Sequence, residues 1–81
     1  MILLIINHMI YFTKYAEKKF EILNAHKVFI TREQVEETVK LPDKVEKKGR
    51  LTSACRDGVT VVYRKEGDII RVLTFYPIKC Q

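Results

Sequence analysis

Apolar residues change their spacing once along the chain, near Asp43. Before that point they recur every three or four positions, as one face of a helix requires; after it they alternate with polar residues, as a half-buried strand requires. Ile10 to Phe12 is β-prone and predicts a short first strand. Thr13 then caps a helix running to about Asn24. Ala16, Phe20 and Leu23 make its apolar stripe, Tyr15 and Ile22 widen it, and Lys14, Glu17, Lys18 and Glu21 form a solvated side. A second helix starts at Thr31-Arg32-Glu33-Gln34, which fits a capping box, with Ile30 and Val35 placed as a hydrophobic staple. Val39 lies one turn beyond Val35. Leu41-Pro42-Asp43 ends the helix, because proline cannot donate and restricts the residue before it.

The second half alternates. Val45 sits in a short extended piece, and Lys47-Lys48-Gly49-Arg50 reads as a polar turn. Leu51 to Arg56, Val59 to Lys65 and Ile69 to Tyr76 read as strands, joined by Asp57-Gly58 and Glu66-Gly67-Asp68, with Pro77 as the stop. The expected fold class is α+β: a short N-terminal strand and two helices packed on a three- to four-stranded antiparallel meander.

Two-residue turns fix which side chains share a face. An Asp57-Gly58 turn sets Arg56 against Val59, Ala54 against Val61 and Thr52 against Tyr63. A Glu66-Gly67 turn sets Tyr63 against Ile70 and Val61 against Val72. Ala54, Val59, Val61, Tyr63, Ile70 and Val72 are then expected under the helices. The outer face collects Leu51, Ser53, Cys55, Thr60, Val62, Arg64, Ile69, Arg71, Leu73 and Phe75. Arg64 and Arg71 fall on that face whether the turn is Glu66-Gly67 or Gly67-Asp68. An arginine inside a β run wants water, a carboxylate or a phosphate.

Met1 to Ile6 is an unbroken apolar run, MILLII. It is far below the roughly 20 residues of a membrane span and lacks the flanks of a signal peptide. Two readings are open: a strand that pairs or covers an apolar patch, with a homodimer seam as one form of it, or a start-site artefact with translation beginning at Met9. Residues 1–9 are accordingly set apart as an apolar extension from a single domain over 10–81, which is all that 81 residues accommodate.

Charge sharpens the picture. Residues 1–43 carry six Lys/Arg and six Asp/Glu, whereas 44–81 carry nine and four, so the whole net charge of +5 lies in the meander. A basic sheet behind a neutral helical layer is the footprint of a polyanion binder. Lysines and arginines that merely solubilise a sheet and blunt its edges give the same pattern. Cys55 and Cys80 have neither C-x-x-C spacing nor a nearby histidine. They are expected as an unlinked sheet residue and a tail residue, a usage that fits a cytoplasmic protein. His8 and His26 stand alone, so no metal site is expected, and nothing calls for a cofactor.

The order of motifs FTKYAEKKFEIL, ITREQVEETVKLPDKV and GVTVVYRKEGDIIRVLTFYP resembles the domain of unknown function family 4258 from about Tyr11 to Pro77. Its most specific pieces are Ile30-Thr31, Val35, Pro42-Asp43, Val61-Val62-Tyr63 and Val72 to Pro77. That family is similar in layout to RelE/ParE-type toxins. The resemblance implies RNA binding or metal-independent endoribonuclease activity, and an antitoxin-like protein as partner. The family usually has His-Ala at the start of the first helix; here the pair is Tyr15-Ala16.

Metal-free RNA cleavage needs a base, an acid and cations around the phosphorane. Arg64, Arg71 and Tyr76 are the candidate catalytic residues, the arginines as phosphate ligands and the tyrosine as proton donor or positioner. Arg56, Arg64, Arg71 and Lys79 are the candidate nucleic-acid contacts. Tyr63 and Phe75 are placed either to stack bases or to pack the core, and Tyr76 either to act in catalysis or to cap the end of the sheet. No base is evident. A binding module without catalysis, and an interaction or dimerisation domain that docks a partner strand, therefore remain alternatives.

Overall fold

The computed structural model describes residues 9–80. The MILLII run, with both readings of it, and His8 lie outside the described residues. The elements follow in the order β1 (Met9–Phe12), α1 (Lys14–Ala25), α2 (Arg32–Lys40), β2 (Lys44–Lys48), β3 (Leu51–Arg56), β4 (Val59–Glu66) and β5 (Ile69–Tyr76). The sheet order is β1-β5-β4-β3-β2. Strands β2 to β5 form the antiparallel meander, and β1 joins its far edge parallel to β5. The sheet is therefore five-stranded and mixed. What the sequence shows as a polar turn is in part β2, all of whose residues are exposed, so no apolar face marks it.

Both helices start as their caps dictate. The Thr13 hydroxyl accepts from the Ala16 amide at 3.1 Å. At α2 the capping box is complete: the Gln34 amide donates to Thr31 Oγ1 at 3.1 Å, and the Thr31 amide donates to Gln34 Oε1 at 2.8 Å. Helix α1 ends in a Schellman pattern, with Val28 N–H donating to Leu23 O at 2.8 Å and Lys27 N–H to Asn24 O at 2.9 Å. Tyr15 and Ile22 do not widen the buried stripe; they are exposed on the far side of α1.

The core lies between the helices and one sheet face. Ala16, Val35, Val39, Val59, Val61, Ile70, Val72 and Phe75 are its buried members, with Ile10, Phe12, Phe20, Leu23, Ile30 and Tyr63 packed around them. Phe20 bridges Phe75 and Phe12 at ring-centroid distances of 4.5 and 5.7 Å. Thr38 is buried on α2 because its hydroxyl donates to Gln34 O at 2.7 Å.

The β3–β4 register is the one the Asp57-Gly58 turn requires, and both turn residues have positive φ (47° and 80°). The β4–β5 register differs from the Glu66-Gly67 expectation. The turn is Gly67-Asp68, so Arg64 lies opposite Arg71 and Tyr63 opposite Val72. A bulge then intervenes: Val62 pairs with Thr74, leaving Leu73 as the extra residue, and Val61 pairs with Phe75. One inserted residue reverses the alternation, which carries Phe75 from the expected outer face into the core, where it is fully buried. The bulge is tied to the start of α1, since Thr13 N–H donates to Val72 O at 3.1 Å and the Thr13 hydroxyl to Leu73 O at 3.4 Å.

The cysteines are a correction as well. Cys55 and Cys80 are joined in a disulfide, with Cα atoms 5.5 Å apart. Their 25-residue separation in sequence spans the β4–β5 hairpin, whose register brings the end of the chain back beside β3. The cytoplasmic location expected from unlinked thiols loses that support. No helix among the described residues is long and apolar enough to cross a membrane.

Candidate nucleic-acid interface

The outer sheet face carries the arginines. Arg64 on β4 and Arg71 on β5 are direct cross-strand partners, and Glu66 binds both. Arg71 Nε donates to Glu66 Oε1 at 3.0 Å, and Arg64 Nη1 lies 3.4 Å from Oε2. Each guanidinium keeps other donors, and all three side chains are about two-fifths exposed. Like charges directly opposite one another destabilise a sheet. The shared carboxylate offsets that repulsion and fixes where the two cations sit.

Tyr11 completes this end of the face. It pairs with Arg71 in the parallel β1–β5 register, and the Arg71 guanidinium stacks 5.1 Å from its ring centroid. The aromatic side chains weighed for base stacking lie elsewhere: Phe75 is in the core, and Tyr63 is half-buried against it. Burial pushes the Tyr63 phenol up from its ordinary value. Tyr11 was missed because alternation along the meander says nothing about a parallel strand arriving from the N-terminus. Beside the pair, an open groove of about 610 Å³ runs between the β2–β3 and β4–β5 turns. Lys47, Arg50, Arg64 and Lys65 line it, with Glu66 as its acidic residue.

The remaining candidates stand apart. Tyr76 pairs with Thr60, four residues along β4 from Arg64, which is about 13 Å at the rise of a strand. Its ring carries Lys19 of α1, with Nζ 4.7 Å from the centroid. Lys79 lies in the C-terminal tail, which crosses the outer face near β3 and lines a cleft of about 240 Å³ with Ser53, Cys55 and Thr60. Arg56 is on the helix side of the sheet. Its Nη1 donates to Leu41 O at 2.8 Å at the end of α2, and Glu37, Asp43 and Asp57 lie within 3.5 to 3.9 Å. The Asp57 contact, at 3.6 Å from Nε, is an ion pair beyond hydrogen-bond reach, which leaves that buried N–H without an acceptor. The structure thus unites Arg64 and Arg71 and separates them from Tyr76, Lys79 and Arg56.

Among the described residues Glu66 is the carboxylate that touches the arginines, as their shared ion-pair partner, and His26 is the C-cap of α1. No three His, Cys, Asp or Glu side chains among the described residues converge on a metal-sized site.

No family model matches the chain, so the resemblance to family 4258 gains nothing there. No curated protein matches it either. A solved structure does: a chain of the RelBE2 toxin–antitoxin complex from Mycobacterium tuberculosis superposes with a TM-score of 0.52 over 85% of this chain and 95% of that one. At 18% identity this likeness concerns the fold. The layout is RelE-like.

Proposed function

We propose that this protein is a RelE/ParE-like member of a toxin–antitoxin pair that binds RNA through the hairpin end of its outer sheet face. The observation that carries the reading is the Arg64–Arg71 pair, held by one carboxylate and flanked by the Tyr11 ring. Two guanidiniums at fixed spacing suit bidentate phosphate contacts, and an exposed tyrosine beside them offers a face on which a base can stack. The neighbouring groove, in the fork between the two hairpin turns, adds the charge of Arg50, while Lys47 and Lys65 belong by register to the helix-facing side. Membership of family 4258 is part of the same proposal and rests on the order of motifs alone. The Tyr15 departure and the wide gap to Tyr76 favour binding over cleavage.

RNA titration of the wild type beside Arg64→Ala/Arg71→Ala at low salt tests this reading. The double variant should bind more weakly and show a shallower salt dependence, by about 0.7 in the logarithmic slope for each lost phosphate contact on a single strand. Equal binding by both proteins would sink it. Cleavage by the wild type that the variant lacks would make the protein a ribonuclease and restore a catalytic role to the arginines.

A second reading has its own support. Among the described residues strand β1 pairs with β5 alone, and its other edge suits an added strand. A partner segment docked there, from an antitoxin-like protein or a second copy of this chain, is the alternative. Light scattering of the full chain and of one beginning at Met9 tests the second copy; equal monomer masses remove it.

A further inference from the structure

The disulfide does not hold the core together. Neither Cys55 nor Cys80 belongs to the buried cluster under the helices. The bond instead fastens residues 77–80, which have no regular secondary structure, to the outer face of β3. Among the described residues, Thr60 Oγ1 also holds the tail, donating to Ile78 O at 2.7 Å. The loop that the bond closes contains β4 and β5, which the sheet already holds through a ladder running from Thr60–Tyr76 to Glu66–Ile69. The two ends of the bond are unequal: Cys55 is buried, whereas Cys80 lies in an exposed stretch of chain. Lys44 and Lys79 line the cleft beside it.

We propose that Cys55–Cys80 is a reversible redox latch, opened by a dithiol reductant, that fastens the C-terminal tail over the middle of the outer sheet face. A thiolate of the dithiol attacks the sulfur of Cys80, the exposed residue of the pair. The Cys55–Cys80 bond breaks, and Cys55 leaves with the electron pair and takes up a proton. The second thiol of the reductant, as thiolate, attacks its own sulfur in the mixed disulfide, and Cys80 departs in the same way. The reductant is left as a disulfide, two electrons having passed to the protein. Nearby lysines favour the departing thiolate, as cations do for cysteine generally, and exposed disulfides are the labile class. Once open, the described part of the tail keeps the Thr60–Ile78 hydrogen bond, and its departure uncovers Ser53, Cys55 and Thr60. The latch works whether or not the sheet meets RNA.

The test uses the full chain, oxidised with a small-molecule disulfide and then treated with a dithiol in the absence of denaturant. Two thiols per chain should appear, and the backbone of residues 78–80 should gain nanosecond mobility by nuclear spin relaxation, while the amides of β3, β4 and β5 keep their protection. Cys80→Ser should show the same loose tail and the same protected sheet without any reductant. Lys79→Gln should slow native reduction several-fold. A chain that never forms the bond under oxidant, thiols that appear only in denaturant, or a sheet that unfolds with reduction would each overturn the latch.

Discussion

Arg64 and Arg71 face each other across β4 and β5 and share the carboxylate of Glu66. Two cations are thereby held closer than an uncompensated sheet would favour, and in the proposed RNA complex a phosphate takes the carboxylate's place. Glu66→Gln removes the competitor and keeps the shape. It should lower stability by less than about 1 kcal/mol, since exposed ion pairs are screened, and should tighten RNA binding and steepen its salt dependence. Chemical denaturation and RNA titration at several salt concentrations read the two effects. Weaker binding by the Gln variant would mean that the carboxylate orients the guanidiniums more than it competes.

Arg56 was grouped with these arginines from sequence, yet it works on the other side of the sheet. Its donation to Leu41 O satisfies a carbonyl at the end of α2, where the helix leaves acceptors unpaired and a cation is favoured. Arg56→Ala should therefore cost about 1–2 kcal/mol of stability and leave RNA affinity unchanged within twofold. Loss of affinity without loss of stability would put Arg56 back in the interface.

The legible part of this fold was local. Capping residues placed both helices, and Asp57-Gly58 set the β3–β4 register because its two positive φ values admit few other residues. The bulge at Leu73 was not legible. Nothing in Val72-Leu73-Thr74-Phe75 distinguishes an inserted residue from continued alternation, and the Thr13 bond that accompanies it comes from 60 residues away in sequence. The Cys55–Cys80 pairing failed for the same reason, since it depends on where β5 delivers the tail. In the candidate interface, parity alone placed Arg64 and Arg71 together, whereas the shared Glu66 and the Tyr11 stack required the turn type and the parallel β1 pairing. Because the bulge puts Phe75 in the core, Phe75→Ala should cost about 3–5 kcal/mol. Leu73→Ala, at a partly exposed site, should cost much less by the same denaturant midpoint measurement.

Tyr63 gives the fold a dependence on alkaline pH. Burial raises its phenol above the ordinary value of 10.0, so the folded chain holds the proton more tightly than the unfolded one. Its contribution is fully present below the unfolded pKa. Above it, the unfolded state binds fewer protons, and stability falls as pH rises through the folded value. Tyr63→Phe abolishes that titration, so the stability of wild type minus variant should be flat up to about pH 9 and decline beyond about pH 10. Other groups that titrate there act on both proteins and cancel. A difference that stays level across the range would show that the phenol is solvated in the folded chain.

Lys27 occupies a position that a glycine would fill without strain. It follows the C-cap of α1 with φ of 61°, and its N–H and that of Val28 complete the Schellman bonds to Asn24 and Leu23. A side chain in left-handed backbone costs about 1–2 kcal/mol through its Cβ, which glycine avoids, while glycine loses some of that advantage to the greater freedom of its unfolded chain. Lys27→Gly should therefore raise stability by up to about 1 kcal/mol, and Lys27→Val should lower it, because β-branching is least tolerated at positive φ. Thermal unfolding of the two variants beside the wild type reads the order. A Val variant as stable as the wild type would mean that the chain leaves α1 without the left-handed residue.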